Sequence, residues 1–219
     1  MKEFLTIEKL FESSKNFCSA ERKINFPELI GVDNGKTIGT FVEHRLKNFL
    51  LERFEVPIGN SASGIDLPSE SINTDIKVTR VTQPQSSCPY ESSRQKIFGL
   101  GYNLLILVYD KNDTSDSCYL NFMNCTFVEA SRTADYTVTK RISEMLKDGA
   151  SKEDIIGYFY DRNIPDAEQT HSQLAEEVLE KGVIQGYLTI SNALQWRLQY
   201  GRVIDLDNSI PGVQNYVIN

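Results

Sequence analysis

The stretch "GIDLPSESINTDIKVTR", residues 64–80, decides the fold because it has the pattern of two short β arms around a turn. Placing Asp66 opposite Asp75 leaves "SESI" as a four-residue hairpin loop. Alternation along the second arm then turns Asp75 and Lys77 to one face and points Ile76 into the core. The sequence therefore predicts a hairpin that groups two carboxylates and one ammonium on a single face.

Such a pair of aspartates needs a partner. Two carboxylates directly across a strand pair repel by about 3 kcal/mol at roughly 5 Å and an effective dielectric of about 20. A hard divalent cation would offset this repulsion, and Mg²⁺ is favoured because it accepts carboxylates, waters and substrate phosphate together. We therefore predict a Mg²⁺ site at Asp66 and Asp75, with Lys77 beside it. The alternative is a solvated hairpin in which Lys77 forms a weak surface salt bridge with these acids.

A further acid lies on the preceding helix. Apolar residues recur at spacings of three and four and predict a helix from about Thr37. Glu43 lies on this helix one turn after Gly39, whose small size would let the helix approach the sheet closely. Glu43 is therefore a candidate member of the cluster. The alternative is an exposed Glu43 that pairs with Lys47 at i+4.

The remaining pattern is α, then β, then mostly α. "NLLILVYD" at 103–110 predicts a central strand buried on both faces, and "CYLNFMNCTFVEA" at 118–130 predicts another. Three helices are expected: one over 137–148 with Gly149 just past its end, one that begins at the "SKED" capping box at 151–154, and one from about Asp166 to a stop at Gly182.

Composition excludes several classes of protein. The 219 residues contain four cysteines without CxxC spacing and two histidines, so a zinc site is not expected. There is no run of eighteen apolar residues, and we expect a soluble, cytoplasmic protein without membrane association. Residues 153–180 carry eight acids and one arginine, so the charge of this segment, −7, equals the net charge of the whole chain. Local basic surfaces therefore remain possible elsewhere.

On these residues the chain resembles the PD-(D/E)xK nucleases and, within that superfamily, the type II restriction endonucleases. The likeness rests on "IDLP…TDIKV", with Asp66, Asp75 and Lys77 at the family's acid, acid and lysine positions. The helix acid Glu43 and the strand "NLLILVYD" add to it. It covers about residues 35–130, in the family's core order of helix, hairpin, helix and strand.

The resemblance implies an α/β, restriction-endonuclease-like fold, in which helices flank a central mixed sheet and the C-terminal part is mostly helical. We expect one nuclease domain over residues 1–219, with a catalytic core at about 35–130 and a helical subregion at about 137–219.

The resemblance also implies Mg²⁺-dependent hydrolysis of double-stranded DNA at a short specific sequence. Asp66, Asp75 and the carbonyl of Ile76 would hold the metal, which polarises the phosphoryl oxygen and lowers the pKa of a bound water. Lys77 would orient that water and stabilise its hydroxide form.

DNA would be read by donors that follow the second arm of the hairpin. These candidates are Arg80, Gln83, Gln85, Ser86, Arg94 and Lys96. The acidic segment 153–180 should face away from phosphates. A basic segment at 192–202, with Trp196 and Tyr200 at i+4, is a candidate helix for phosphate contact or dimer formation. A homodimer is expected, because a symmetric duplex site is matched by a two-fold protein.

Two other functions remain open from the sequence. One is a repair or junction nuclease with the same core, which would cut mismatched, hemimethylated or branched DNA. The other is a DNA-binding module without turnover, in which the acids form only a structural metal site.

Overall fold

A computed structural model describes residues 2–56, 64–88, 92–191 and 196–218. The helices are α1 (Ile7–Glu21), α2 (Gly35–Arg53), α3 (Arg94–Phe98), α4 (Tyr136–Lys147), α5 (Lys152–Asp161), α6 (Glu168–Lys181) and α7 (Gly201–Ile204). The strands are β1 (Glu3–Phe4), β2 (Phe54–Glu55), β3 (Thr74–Arg80), β4 (Gln85–Cys88), β5 (Asn103–Asp113), β6 (Cys118–Val128), β7 (Thr189–Ile190), β8 (Trp196–Gln199) and β9 (Val213–Val217).

The chain folds into two compact units, each assembled from separate segments. The first unit contains Met1–Gln85, Tyr102–Val128 and Ile204–Asn219, and the second contains Ser86–Gly101 and Glu129–Val203. The predicted core at about 35–130 therefore does not coincide with either unit. The single nuclease domain stays a prediction.

The first unit is built on a mixed four-stranded sheet in the order β3-β5-β6-β9. Strand β3 runs parallel to β5, whereas β5 pairs antiparallel with β6 and β6 pairs antiparallel with β9. Helices α1 and α2 pack against this sheet and bury an apolar core with it. This arrangement confirms the predicted α/β class and the two predicted strands, and it leaves β3 at an edge of the sheet.

Helix α2 begins two residues before the predicted start. The side chain of Asn34 accepts hydrogen bonds from the backbone N–H groups of Lys36 and Thr37, which makes it the N-cap. One face of the helix is buried against the sheet by apolar residues at spacings of four. These residues are Ile38, Val42, Leu46 and Leu50.

The hairpin has the expected register. Leu67 and Thr74 exchange two backbone hydrogen bonds of 3.0 Å each, which is the pairing that follows from setting Asp66 opposite Asp75. The first arm is a single bridge and not a full strand. Asn73 takes a positive φ of 35° before β3 begins, a conformation that asparagine tolerates better than most residues.

The second unit contains a three-stranded sheet in the order β4-β8-β7 and an apolar core in which α4, α5 and α6 pack together. The three predicted helices are confirmed. Ser151 and Asp154 form the reciprocal capping box that opens α5. Gly149 follows α4 with a φ of 76°, the left-handed conformation expected of a glycine after a helix end.

The structure corrects the C-terminal prediction. Residues 192–195 lie outside the described residues, and Trp196–Gln199 form strand β8, so the helix predicted over 192–202 is wrong there. After α6 ends at Lys181, the chain forms strands β7 and β8, the short helix α7 and strand β9. Pairing of β8 with β7 outweighs the local helical spacing of the aromatic residues.

The helices and the cysteines of the described ranges have one property each that bears on the class of protein. Within them, no helix combines the length and the apolar composition that a membrane crossing requires. Cys18, Cys118 and Cys125 are buried free thiols.

Candidate active site

Asp66, Asp75 and Lys77 come together where the hairpin arm of Leu67 meets the outer edge of β3. One oxygen of Asp66, Oδ2, accepts a hydrogen bond of 2.8 Å from the backbone N–H of Ile76. Asp75 is hydrogen-bonded to Asp66, and its Oδ2 lies 2.6 Å from Nζ of Lys77. Ile76 itself is buried in the core on the other side of the strand. The predicted alternation along β3 is therefore confirmed.

The two aspartates have opposite pKa shifts. Burial of Asp75, which is 5% exposed, and its hydrogen bond with Asp66 raise the pKa of Asp75 to about 6 against the effect of Lys77. Burial also acts to raise the pKa of Asp66, but hydrogen bonds with Asp75, Lys47 and the N–H of Ile76 outweigh it and lower that pKa. The surroundings of Asp75 therefore disfavour its charged form, whereas the hydrogen bonds of Asp66 favour its charged form.

Glu43 joins the cluster through Lys47. Nζ of Lys47 lies 2.7 Å from Oε1 of Glu43 and 2.6 Å from Oδ1 of Asp66. Glu43 pairs with Lys47 at i+4, as the alternative expected, but its side chain is only 25% exposed and the shared lysine brings it next to Asp66. A role of Glu43 in the active site stays a prediction. Burial and the negative charge of Asp66 raise the pKa of Glu43, and they outweigh the ion pair with Lys47.

Lys47 is a member of the cluster that the sequence did not identify as one. The i+4 spacing from Glu43 was the available signal, and it predicted an exposed pair. Burial acts to lower the pKa of Lys47, but hydrogen bonds with Asp66 and Glu43 raise it above its ordinary value. Lys47 is therefore a charged group between Glu43 and Asp66.

The predicted role of Gly39 does not hold. A Cβ atom placed on Gly39 would lie 3.7 Å from the carbonyl oxygen of Val78, which is an ordinary van der Waals distance. A methyl group would fit there, so close approach of α2 to β3 does not require a glycine. The buried apolar face of α2 holds the helix in place.

The donor atoms of the cluster suit a hard cation. A residue in a strand directs its N–H and C=O to the same side, so the carbonyl of Ile76 faces the edge on which Asp66 lies. Three carboxylates and two ammonium groups leave the cluster with a net formal charge of −1. Over the described part of the chain, no three His, Cys, Asp or Glu side chains converge to hold a metal by themselves. A cation at this position could therefore take two carboxylates and one backbone oxygen from the protein, and water or substrate would supply its remaining ligands.

The DNA-contact candidates of the first unit lie at and beyond the end of β3. Arg80 pairs with the exposed Asp33 at 3.1 Å, and Gln83 is exposed in the following turn. The backbone N–H of Gln85 donates to the hydroxyl of Thr79 at 3.0 Å, and Gln85 is half-buried. Arg80 and Gln83 are therefore accessible for contact with a ligand.

The second-unit candidates lie in regular secondary structure. Ser86 belongs to β4, while Arg94 and Lys96 belong to α3. Arg94 pairs with Glu177 at 2.6 Å. Lys96 is buried and donates to the carbonyl of Ile190 at 2.7 Å. Contacts of these residues with DNA stay predictions.

Comparisons with known proteins point to one class, the type II restriction enzymes. The family model described as "Type II restriction enzyme NspV" matches residues 4–215. The type II restriction enzyme NspV of Nostoc sp. (strain ATCC 29411 / PCC 7524) is 48% identical over 211 residues, which are 95% of each chain. This chain therefore belongs to the NspV family of type II restriction enzymes, and the predicted resemblance to that class is confirmed.

A solved structure was also matched. The crystal structure of the tetrameric restriction endonuclease SfiI bound to cognate DNA aligns over 100% of this chain and 89% of its own, with a TM-score of 0.44 and 10% sequence identity.

Proposed function

We propose that the protein hydrolyses phosphodiester bonds of double-stranded DNA at a short specific sequence and that it requires Mg²⁺. The observation that carries this proposal is the cluster of Asp66, Asp75 and Lys77 at the outer edge of β3. Membership of the NspV family supports the restriction-type substrate.

Each residue of the cluster has a distinct role in this proposal. Asp66, Asp75 and the carbonyl of Ile76 would hold Mg²⁺. When bound, the metal polarises the scissile phosphoryl group and makes a water more acidic. Lys77, held beside Asp75, orients the attacking water and stabilises its hydroxide form. Glu43 acts on Asp66 through Lys47 and is a positioning residue.

In this proposal, the hydrogen-bond donors that follow β3 recognise the DNA sequence. In the first unit these are Arg80, Gln83 and Gln85, and in the second unit Ser86, Arg94 and Lys96. Amide and guanidinium groups can donate to base edges in the major groove. A homodimer is proposed on symmetry, because a palindromic site presents the same groups twice.

Digestion of a sequence-diverse plasmid tests the proposal. In Mg²⁺ we expect discrete bands, whereas Ca²⁺ or EDTA should give no cleavage because Ca²⁺ coordinates more loosely and orders the reacting groups poorly. Cleavage in EDTA would contradict the metal requirement. Nicks confined to mismatched or branched DNA would indicate a repair nuclease, and binding without cleavage would indicate a DNA-binding module.

A further inference from the structure

The ammonium of Lys47 occupies the position between two acids of the cluster. It lies 2.7 Å from Glu43 and 2.6 Å from Asp66, and its side chain is 13% exposed. The side chains of Glu43 and Asp66 are 25% and 17% exposed. At this burial the three charges are only partly screened by water, so the ammonium is what allows the two carboxylates to lie together.

Lys47 engages an oxygen that the proposed metal would need. Of the two oxygens of Asp66, Oδ2 accepts from the N–H of Ile76 and Oδ1 accepts from Lys47. Mg²⁺ binds carboxylate oxygens at about 2.0–2.1 Å. A cation on Oδ1 would therefore lie within roughly 5 Å of the ammonium, close enough for strong repulsion.

We propose that Lys47 is a resident counter-ion, which holds Glu43 and Asp66 together in the metal-free protein and leaves Asp66 when a divalent cation binds. This inference rests on the proposed function, because it takes Asp66 as a metal ligand. Lysine suits the task, since its flexible stem can carry the ammonium from one partner to another. Glu43, one turn earlier on α2, remains as its partner after Asp66 is released.

Removal of the charge in the variant Lys47→Met should tighten metal binding. Methionine keeps an unbranched stem but removes the charge, so the cluster changes from −1 to −2. We expect Ca²⁺, used as a non-catalytic probe, to bind about tenfold more tightly than to the wild type. We also expect a lower thermal midpoint in EDTA and a larger upward shift of that midpoint on adding Ca²⁺.

Two variants control the experiment. Lys36→Met removes an exposed lysine from the same helix, about 16 Å further towards its N-terminus, and should leave Ca²⁺ affinity and the midpoint unchanged. Lys47→Arg keeps the positive charge, so its Ca²⁺ affinity and thermal midpoint should stay closer to those of the wild type than the values of Lys47→Met do. If Lys47→Met does not fold without metal, Lys47→Gln gives the same comparison, because its amide is uncharged but can still donate to Glu43.

Calorimetric titration with Ca²⁺ separates failure of this inference from failure of the proposed function. A folded, uncharged Lys47 variant that binds Ca²⁺ with wild-type or lower affinity would overturn the counter-ion role, since loss of a merely structural contact would not tighten metal binding. A wild-type protein that binds no Ca²⁺ and cleaves DNA in EDTA would overturn the metal site itself, and the inference with it.

Discussion

Two aspartates in different units are equally buried but have different partners. Asp75 in the first unit and Asp135 in the second are each 5% exposed. The oxygens of Asp135 accept from the backbone N–H groups of Val138 at 2.9 Å and Ile190 at 2.8 Å. Asp75 instead contacts the ionisable side chains of Lys77 and Asp66.

The difference shows how burial alone fails to indicate function. Asp135 caps helix α4 and ties it to β7, so its charge is stabilised by fixed backbone dipoles and the residue is structural. The partners of Asp75 are side chains that can move or change protonation, and its pKa is raised to about 6. Such a carboxylate can exchange its present partners for a cation, which suits a functional site.

The largest effect should follow from Lys77→Ala. We expect the single-turnover cleavage rate in Mg²⁺ to fall by about a hundredfold or more, since the group that orients the water is lost. DNA binding in Ca²⁺ should survive because both aspartates remain. Lys36→Ala, an exposed lysine on α2, serves as the matched control. If Lys77→Ala cleaves at the wild-type rate, the hairpin is not the active site, and Lys77 forms only a weak salt bridge with the aspartates.

A smaller effect, on stability, is expected from Asp135→Ala. The change removes an N-cap and leaves the buried N–H of Ile190 without its acceptor, so unfolding in urea should show a loss of about 2–4 kcal/mol. It also removes the negative charge near the buried Lys96. If the free energy of unfolding falls by less than about 1 kcal/mol, Asp135 does not have the structural role assigned to it.

The smallest effect is expected for Glu176→Lys combined with Glu180→Lys. Both residues are exposed on α6, within the acidic segment 153–180 that should face away from phosphates. Glu177 is left unchanged because it pairs with the DNA-contact candidate Arg94. Glu176 pairs with Lys152 at 2.5 Å, but an ion pair this exposed contributes about 1 kcal/mol or less. Band patterns from plasmid digestion should match the wild type, and non-specific DNA affinity should rise only modestly. Loss of specific cutting by the folded variant would place this segment in the DNA interface.

Much of the fold follows from local signals in the sequence. The two central strands follow from apolar runs, α5 from its capping box, and the register at Leu67 and Thr74 from the length of the hairpin loop. These features depend on residues close together in the chain. The sequence also identified Asp66, Asp75 and Lys77 as neighbours, because a single hairpin carries all three.

The features that the sequence missed depend on distant pairing. The contact of Lys47 with Asp66 spans nineteen residues and joins a helix to a hairpin arm, so no spacing rule predicts it. Burial of Lys96 depends on the carbonyl of Ile190, ninety-four residues away. Strand β8 forms because β7 pairs with it, although its local spacing favoured a helix.

The most direct test makes the same isosteric change in both buried aspartates and measures single-turnover cleavage and urea unfolding for each. Asp75→Asn should lose cleavage by about a thousandfold or more, since a metal ligand is weakened, while stability is kept because a costly buried charge is removed. Asp135→Asn should lose stability, because its amide would direct a donor at a backbone donor, and should keep most of the cleavage rate. Near-normal cleavage by Asp75→Asn, or loss of stability alone, would contradict the assignment of this cluster as the active site.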